Sequence, residues 1–200
     1  MGTYCKMNYI HKNLGALEPH ECTFLINYFK QNPDKQVEGL LGFGDTMRVS
    51  PEEKKCTEIF LSSNLLVDQF IFKPVARVLK ETCEAYIKEF PFLDKIGAWQ
   101  IAPNFKIQHY KPGEGYFKEH CENDGGTDGD AEYRVVAWMI YLNTVTDGGE
   151  TVFPTQNEQF KPNRGDVLFW PAYWTHPHHG VVSPSQDKYI LTGWYNFSGR

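Results

Sequence analysis

The sequence lacks several features that mark whole classes of protein. No run approaches the roughly 20 apolar residues that a membrane-spanning helix requires, so we expect no membrane partner. Lysine and arginine form no cluster and the net charge is −5, so we expect no nucleic-acid partner. Residues 1–6 contain neither the basic nor the apolar region of a signal peptide. Together these absences predict a soluble, cytoplasmic protein.

Cysteine is scarce and widely spaced. The count is five, which is odd, and no C-x-x-C pair occurs, so neither a disulfide framework nor a structural zinc site is indicated. Reduced thiols in a reducing compartment are the simplest interpretation. The cysteines are Cys5, Cys22, Cys56, Cys83 and Cys121.

The length and composition favour one folded domain. The chain has 200 residues, 41% of them hydrophobic and 15% aromatic, which excludes an intrinsically disordered protein. No repeat, low-complexity tract or linker divides it. We therefore expect a single domain over residues 1–200, with helical support at about 17–96 and a β-rich core at about 97–197.

Helical spacing dominates the first half of the chain. Pro19 is suited to the first turn of a short helix whose apolar face includes Leu25 and Phe29. A longer apolar stripe begins at Val75, and Pro91 is expected to end that helix. Residues 47–61 are polar and poorly periodic, which predicts a loop with a short strand at 58–61.

Strand patterns separated by turn residues dominate after Gly97. Residues 133–142 are apolar on both alternating faces, which indicates a strand buried on both sides. Helices followed by strands predict an α+β fold in which helices buttress a β-sandwich or jelly roll. The predicted strands are 99–102, 105–110, 133–142, 159–161, 167–170 and 188–197.

Two histidine-containing segments are candidates for a metal site. His120 and Glu122 are two residues apart, and such side chains project to the same side of a strand. With a third histidine they would form a two-histidine, one-carboxylate set that leaves one face of the metal open, as suits non-haem Fe(II). Alone, the H-x-E pattern is more often a surface pair.

The third histidine has three candidates, His176, His178 and His179. His178 is followed ten residues later by Lys188, which begins an otherwise apolar and aromatic strand. A lysine in such a strand is costly to bury without an anionic partner, and a dicarboxylate would supply one. This spacing favours His178, whereas a surface location is the alternative for Lys188.

Several motifs in order resemble the prolyl 4-hydroxylases of the Fe(II)/2-oxoglutarate-dependent dioxygenases. Tyr110-x-x-Gly-x-x-Tyr-x-x-x-His120-x-Glu122 is similar to the first metal-binding segment of that family. The central and closing blocks are also matched, by Arg134-Val-Val, Tyr-Leu-Asn at 141–143, Gly-Gly-Glu-Thr-x-Phe-Pro at 148–154, Gly-Asp at 165–166, His178-x-Gly, Lys188 and Trp194. The resemblance implies a double-stranded β-helix.

The resemblance also implies a role for individual residues. His120, Glu122 and His178 would bind Fe(II), and Lys188 would bind the distal carboxylate of 2-oxoglutarate. Tyr110 and Thr151 would assist at the cosubstrate. Arg134 and Trp194 are candidates for substrate binding.

The implied reaction uses Fe(II), 2-oxoglutarate and O2, with ascorbate as an accessory reductant. It would hydroxylate a prolyl residue in a protein or peptide and release succinate and CO2. A free amino acid, or another side chain such as lysine, is the alternative substrate.

Glu122 departs from the family pattern, in which aspartate is usual. The extra methylene moves the carboxylate by more than about one ångström unless the backbone adjusts. Asp124 is the other candidate, although it would need a bend in the chain. The residues favour Glu122.

Other interpretations of the same residues stay open at this stage. Tyr110 and Trp194 could be core residues, and Arg134 could form an ion pair on the rim of the sandwich. The acidic loop 123–132 could favour a basic substrate or could be a solvated turn. A non-catalytic β-sandwich binding module, or a cupin-like protein with another divalent metal, are the rival classes.

Overall fold

The computed structural model describes residues 8–43, 46–125 and 131–198. Its two α-helices are α1, Pro19–Gln31, and α2, Leu66–Glu89. Helix α1 begins at a capping box in which Glu18 and Glu21 satisfy each other's backbone N–H groups. Short 3-10 turns span Pro33–Lys35, Pro91–Lys95 and Ala131–Tyr133.

The two predicted helices are present, and the longer one begins earlier than the apolar stripe indicated. Helix α2 starts at Leu66 and continues through Pro74, whose missing N–H interrupts the internal hydrogen bonds without ending the helix. It ends at Glu89, directly before Phe90 and Pro91, as predicted. None of the described helices is long and apolar enough to span a membrane.

The described residues also contain fourteen strands, which turns and loops connect. They are β1 His11–Asn13, β2 Val37–Glu38, β3 Leu40–Phe43, β4 Thr46–Val49, β5 Lys54–Lys55, β6 Thr57–Ser62, β7 Trp99–Tyr110, β8 Gly115–Tyr116, β9 Arg134–Tyr141, β10 Thr151–Phe153, β11 Glu158–Phe160, β12 Val167–Pro171, β13 His179–Gly180 and β14 Lys188–Phe197. The major sheet has seven strands in the order β1-β12-β9-β14-β7-β6-β2, and all its neighbours are antiparallel. The minor sheet has the order β11-β10-β13. Strands β3 and β4 form a hairpin, and β5 pairs with β8.

Strand β9 lies at the centre of two apolar layers, as its sequence pattern predicted. Trp138 and Ile140 pack with helices α1 and α2 on the outer face of the major sheet. Met139 and Tyr141 pack on the inner face with Phe153 of the minor sheet. The helices therefore support the major sheet from outside, and the minor sheet covers its inner face.

Two strand predictions differ from the structure. Strand β7 is continuous across Pro103, whereas the sequence predicted a break there. Opposite this point, the pairing of β14 with β7 shifts between Gly193 and Tyr195, and β6 pairing stops at Asn104. Because β14 is irregular here and β6 ends here, neither neighbouring strand requires a backbone N–H from residue 103. A proline, which has no N–H, is therefore tolerated within β7.

The polar segment that was predicted as a loop also contains more strand than expected. Strand β5 and most of β4 lie within it, and the short strand predicted at 58–61 is part of the longer β6. These strands pair with β3, β8 and β7 respectively. Strands of two to four residues, such as β4 and β5, are too short for a periodic pattern to be recognised in the sequence.

Candidate active site

One large cavity, of about 730 Å³, opens between the two sheets. Its walls include His120, Glu122, His178 and Lys188, which the sequence singled out. Tyr110, Thr151, Arg134 and Trp194 also line it. The fold thus brings all eight predicted site residues to one cavity.

The backbones of His120 and His178 are joined directly. The His120 N–H donates to the His178 carbonyl at 3.0 Å, and the His178 N–H donates to the His120 carbonyl at 2.8 Å. This isolated antiparallel bridge brings two distant chain segments together. The sequence placed His120 and Glu122 on one regular strand, which is wrong, because β8 ends at Tyr116 and Glu122 lies in a bend.

Three side chains converge beside this bridge. Oε1 of Glu122 lies 3.4 Å from Nε2 of His178 and 3.8 Å from Nε2 of His120. One donor atom from each residue lies within 4.8 Å of the other two. Asp124 is not part of this group, so the structure favours Glu122 as the carboxylate.

Hydrogen bonds orient both imidazoles toward the cluster. Nδ1 of His120 lies 3.0 Å from the Lys118 carbonyl, and Nδ1 of His178 lies 3.1 Å from the His176 carbonyl. A carbonyl accepts a proton only from the N–H tautomer, so Nδ1 carries the proton and Nε2 keeps its lone pair. Such outer hydrogen bonds are typical of histidines that bind a metal.

The electrostatic surroundings favour the donor form of each group. Burial, reinforced by the neighbouring His178, lowers the pKa of His120 to about 3, so its imidazole is neutral. Burial opposes ionisation of Glu122, but the neighbouring His178, His120 and Arg134 outweigh it and lower that pKa. A neutral imidazole and an ionised carboxylate are the forms that bind a divalent cation.

The other two histidines of the downstream group lie outside this cluster. His176 is buried, and its ring nitrogens contact the Asn8 carbonyl at 2.8 Å and the Thr175 hydroxyl at 2.9 Å. His179 belongs to β13 and is paired with Val152. Of the three candidates, the structure brings only His178 to His120 and Glu122.

Lys188 lies at the inner end of the cavity among aromatic side chains. Its Nζ is 5.7 Å from the ring centroids of both Tyr110 and Tyr141. It is only 7% exposed, and burial lowers its pKa to about 8 despite the attraction of Glu150. Within the described residues, no carboxylate lies within ion-pair distance of this ammonium. A small anion is the chemical complement that this end of the cavity lacks.

Tyr110 and Thr151 lie beside Lys188, where the resemblance placed them. The Tyr110 hydroxyl donates to Oε1 of Gln108 at 3.1 Å, and burial raises its pKa. The Tyr141 hydroxyl donates to Oγ1 of Thr151 at 2.8 Å. Sequence reasoning missed Tyr141, whose inward position on the doubly buried strand β9 was the available signal.

Arg134 and Trp194 form a stacked pair at the carboxylate. The Arg134 guanidinium carbon lies 3.9 Å from the Trp194 ring centroid, and its Nη1 donates to the Glu122 carbonyl at 3.0 Å. Nε1 of Trp194 donates to Oε2 of Glu122 at 2.7 Å. The pair therefore holds both the main chain and the side chain of Glu122 in place.

Two further features of the cavity were not singled out from the sequence. Tyr116 stacks on the His120 ring with a centroid distance of 3.6 Å. A buried polar cluster, defined as Lys54, Glu58, Lys106 and Gln108, lies in the wall, where the Glu58 carboxylate contacts the other three side chains. The sequence signal for this cluster was the spacing of Lys106, Gln108 and Tyr110, which are two residues apart and therefore lie on one face of β7.

Comparison with known proteins finds sequence similarity over part of the chain. Residues 105–196 match the sequence profile described as the 2OG-Fe(II) oxygenase superfamily. A protein named "Putative prolyl 4-hydroxylase" from Acanthamoeba polyphaga mimivirus is 31% identical over 109 residues, which cover 47% of this chain. The match spans 45% of that relative's length.

Solved structures share the fold over nearly the whole chain. The viral collagen prolyl hydroxylase of Paramecium Bursaria Chlorella virus-1, in a 2OG complex, has a TM-score of 0.70 at 21% identity, covering 98% of this chain and 100% of that one. A Trichoplax adhaerens prolyl hydroxylase, in complex with a hypoxia inducible factor peptide fragment, has a TM-score of 0.70 at 17% identity, covering 96% and 84%. The predicted double-stranded β-helix is confirmed, and so is the predicted family resemblance.

Proposed function

Because residues 105–196 match the profile of the 2OG-Fe(II) oxygenase superfamily, we propose that this chain is an Fe(II)- and 2-oxoglutarate-dependent dioxygenase that hydroxylates a prolyl residue in a protein or peptide. One observation carries the proposal. A three-residue metal-donor cluster and a buried ammonium group without an ion-pair partner among the described residues share a single cavity. A metal-binding keto acid with a distant carboxylate fits both ends.

His120, Glu122 and His178 would hold the iron. Two neutral imidazole nitrogens and one carboxylate form a set that suits Fe(II) and leaves coordination positions for other ligands. The backbone bridge between His120 and His178 fixes the spacing of the two imidazoles, so little rearrangement is needed on binding.

Lys188 would hold the distal carboxylate of 2-oxoglutarate, with the Thr151 and Tyr110 hydroxyl groups as neighbours. The attraction between an ammonium and a carboxylate is stronger when the ammonium is buried than when it is exposed to water. When bound, Fe(II) with 2-oxoglutarate and O2 supplies the oxidising chemistry that converts a C–H bond to C–OH, while 2-oxoglutarate becomes succinate and CO2. The enclosing aromatic side chains of this chain exclude water from that end of the cavity.

Arg134 and Trp194 would orient the substrate next to the iron. Their stacked surface is half-buried and lies beside Glu122, so a bound peptide would reach the cluster across it. The name of the mimivirus relative and the peptide in the Trichoplax structure support a prolyl peptide as the substrate.

Anaerobic visible absorption tests the cofactor half of this proposal. Adding Fe(II) and then 2-oxoglutarate to the metal-free protein is expected to produce a weak metal-to-ligand charge-transfer band. His178→Ala should abolish the band and the adjacent His179→Ala should retain it, because only His178 belongs to the donor cluster. Lys188→Ala should raise the 2-oxoglutarate concentration needed for half of the signal.

Product analysis tests the substrate half. In the presence of O2, and of ascorbate as the proposed accessory reductant, proline peptides should stimulate succinate formation and gain one oxygen atom. No absorption band in a folded protein would refute the cofactor assignment. A band with succinate release but no hydroxylated proline would refute only the substrate.

A further inference from the structure

Lys106 presents a second ammonium group to the same cavity. It lies on β7, four residues before Tyr110, so the two side chains project from the same face of the strand. Its Nζ lies 5.5 Å from the Phe60 ring centroid and 5.8 Å from that of Trp194. The ammonium is therefore positioned between two aromatic rings on the wall of the cavity.

The polar cluster in the wall holds more positive than negative charge. Glu58 is fully buried and supplies one carboxylate, which faces the ammonium groups of both Lys54 and Lys106. Lys54 is also buried, and it is further satisfied by the Leu40 carbonyl at 3.1 Å. Among the residues that the structure describes, Lys106 makes one ion pair, with Glu58 at 3.3 Å. An ammonium has three donors, so Lys106 retains capacity for another acceptor.

Lys106 and Lys188 mark opposite ends of the site. On β14, the residue paired with Tyr110 is Lys188, and the residue paired with Lys106 is Thr192. Four residues of strand separate the two positions, or about 13 Å. The Lys106 end is next to Trp194, which bonds Glu122, whereas the Lys188 end is next to Tyr141.

We propose that Lys106 binds a carboxylate of the substrate, and that the enzyme selects prolyl peptides with an acidic residue beside the target proline. This inference rests on the proposed function, which assigns the Lys188 end to the cosubstrate and leaves the Lys106 end for the substrate. A carboxylate there forms a charge-assisted hydrogen bond in a partly dehydrated setting. An amide of the same shape forms only a weaker, neutral-acceptor hydrogen bond, and a basic side chain is repelled.

This selectivity is opposite to the one that the acidic loop suggested from the sequence. Residues 126–130 of that loop lie outside the described residues. The cationic wall of the cavity is described, and it lies at the candidate metal cluster itself. Direct contacts with the wall outweigh longer-range electrostatic attraction, because water and salt screen charges that are farther apart.

Peptide binding tests the inference without relying on turnover. The probes are capped peptides that each contain one proline next to aspartate, glutamate, asparagine or glutamine, together with an uncapped peptide ending in proline and free proline. Binding is measured by calorimetry on the protein loaded with Mn(II) and 2-oxoglutarate. We expect the aspartate or glutamate peptide to bind about tenfold more tightly than its amide counterpart.

Variants at Lys106 assign the preference to its charge. Lys106→Gln should reduce the acid-to-amide ratio to about one, and Lys106→Arg should retain it. Lys111→Gln removes an exposed lysine at the rim of the same cavity and should leave the ratio unchanged. Thermal denaturation of each variant verifies that it is folded.

The outcomes separate this inference from the proposed function. A wild-type ratio near one, a ratio that persists in Lys106→Gln, or no binding of any acidic peptide at millimolar concentration overturns the inference. A Lys106→Gln variant that loses affinity for 2-oxoglutarate, and not for peptide, also overturns it, by making Lys106 a cosubstrate residue.

The uncapped probes test which carboxylate is bound. If free proline or the uncapped peptide binds more tightly than the capped acidic peptides, the group bound is a terminal carboxylate, and the acidic-residue assignment is overturned. Failure to bind 2-oxoglutarate at all refutes the proposed function, whereas the peptide ratio still reports on Lys106.

Discussion

Nε1 of Trp194 donates a hydrogen bond to Oε2 of Glu122, at 2.7 Å. Oε1 of the same carboxylate faces the two histidines, so one oxygen is anchored and the other is directed at the candidate metal position. The longer glutamate side chain has an extra rotatable bond relative to the aspartate usual in the family. The indole restrains that additional freedom.

Replacing the indole donor should therefore weaken metal binding. We expect Trp194→Phe to lower Mn(II) affinity about 10-fold to 100-fold, the range typical when an outer hydrogen-bond partner of a ligand is lost. Calorimetric titration of the metal-free protein measures it. Trp174→Phe is the matched control, because Trp174 is 80% exposed and should give the wild-type affinity. Equal affinities for the two variants would contradict the anchoring role.

Shortening the carboxylate should also weaken the site. Glu122→Asp withdraws the oxygen by about 1.5 Å, one carbon–carbon bond, and loses the Trp194 contact. We expect at least about a tenfold loss of Mn(II) affinity. Asp124→Asn should have little effect, because Asp124 is outside the donor cluster. If Asp124→Asn proved the more damaging change, the assignment of the carboxylate would be wrong.

Lys188 should lower the free energy of unfolding in the absence of 2-oxoglutarate, although it is needed to bind that cosubstrate. Burial lowers its pKa from 10.5 to about 8, so the unfolded chain binds more protons between these values. Below pH 8 the buried charge destabilises the fold by a constant amount, and stability recovers as the pH rises from 8 to 10.5. Lys188→Met should therefore raise the free energy of unfolding at pH 7 by up to about 3 kcal/mol.

Urea denaturation of both proteins without 2-oxoglutarate, at pH 7 and at pH 10, measures this effect. The advantage of the variant should shrink at the higher pH, because wild-type Lys188 is by then neutral in the folded state. The same variant should lose 2-oxoglutarate binding. A variant less stable than wild type at pH 7 would show that Lys188 has a stabilising partner.

The ion pair of Lys54 and Glu58 should be sensitive to loss of one member. Glu58→Gln leaves the buried Lys54 ammonium without a carboxylate, and we expect the free energy of unfolding to fall by about 3–5 kcal/mol. Combining it with Lys54→Met removes one of the two ammonium groups that Glu58 compensated, while Lys106 remains, and should recover part of the loss. Chemical denaturation of the single and double variants measures both values. A single variant as stable as wild type would indicate that water reaches Lys54.

Several elements could be predicted because their signals are local. The doubly apolar pattern around Val136 and Met139 placed β9 between two layers, and Pro91 marked the end of α2. The short strands β4 and β5 were not predicted, because two to four residues are too few for a periodic pattern, and the partner of β5 lies far away in the chain. Strand β7 was split at Pro103, since only the neighbouring strands reveal that no ladder bond is needed there.

The sequence by itself determined the chemical types present and their order: two histidines and a carboxylate for a metal, then a lysine on a buried strand. It also favoured His178 and Glu122 over their neighbours. Only the tertiary structure decided that the His120 and His178 backbones pair, that Trp194 anchors Glu122 and that Lys106 shares Glu58 with Lys54. These contacts join residues far apart in the chain, and they depend on strand register and sheet closure, which local periodicity does not encode.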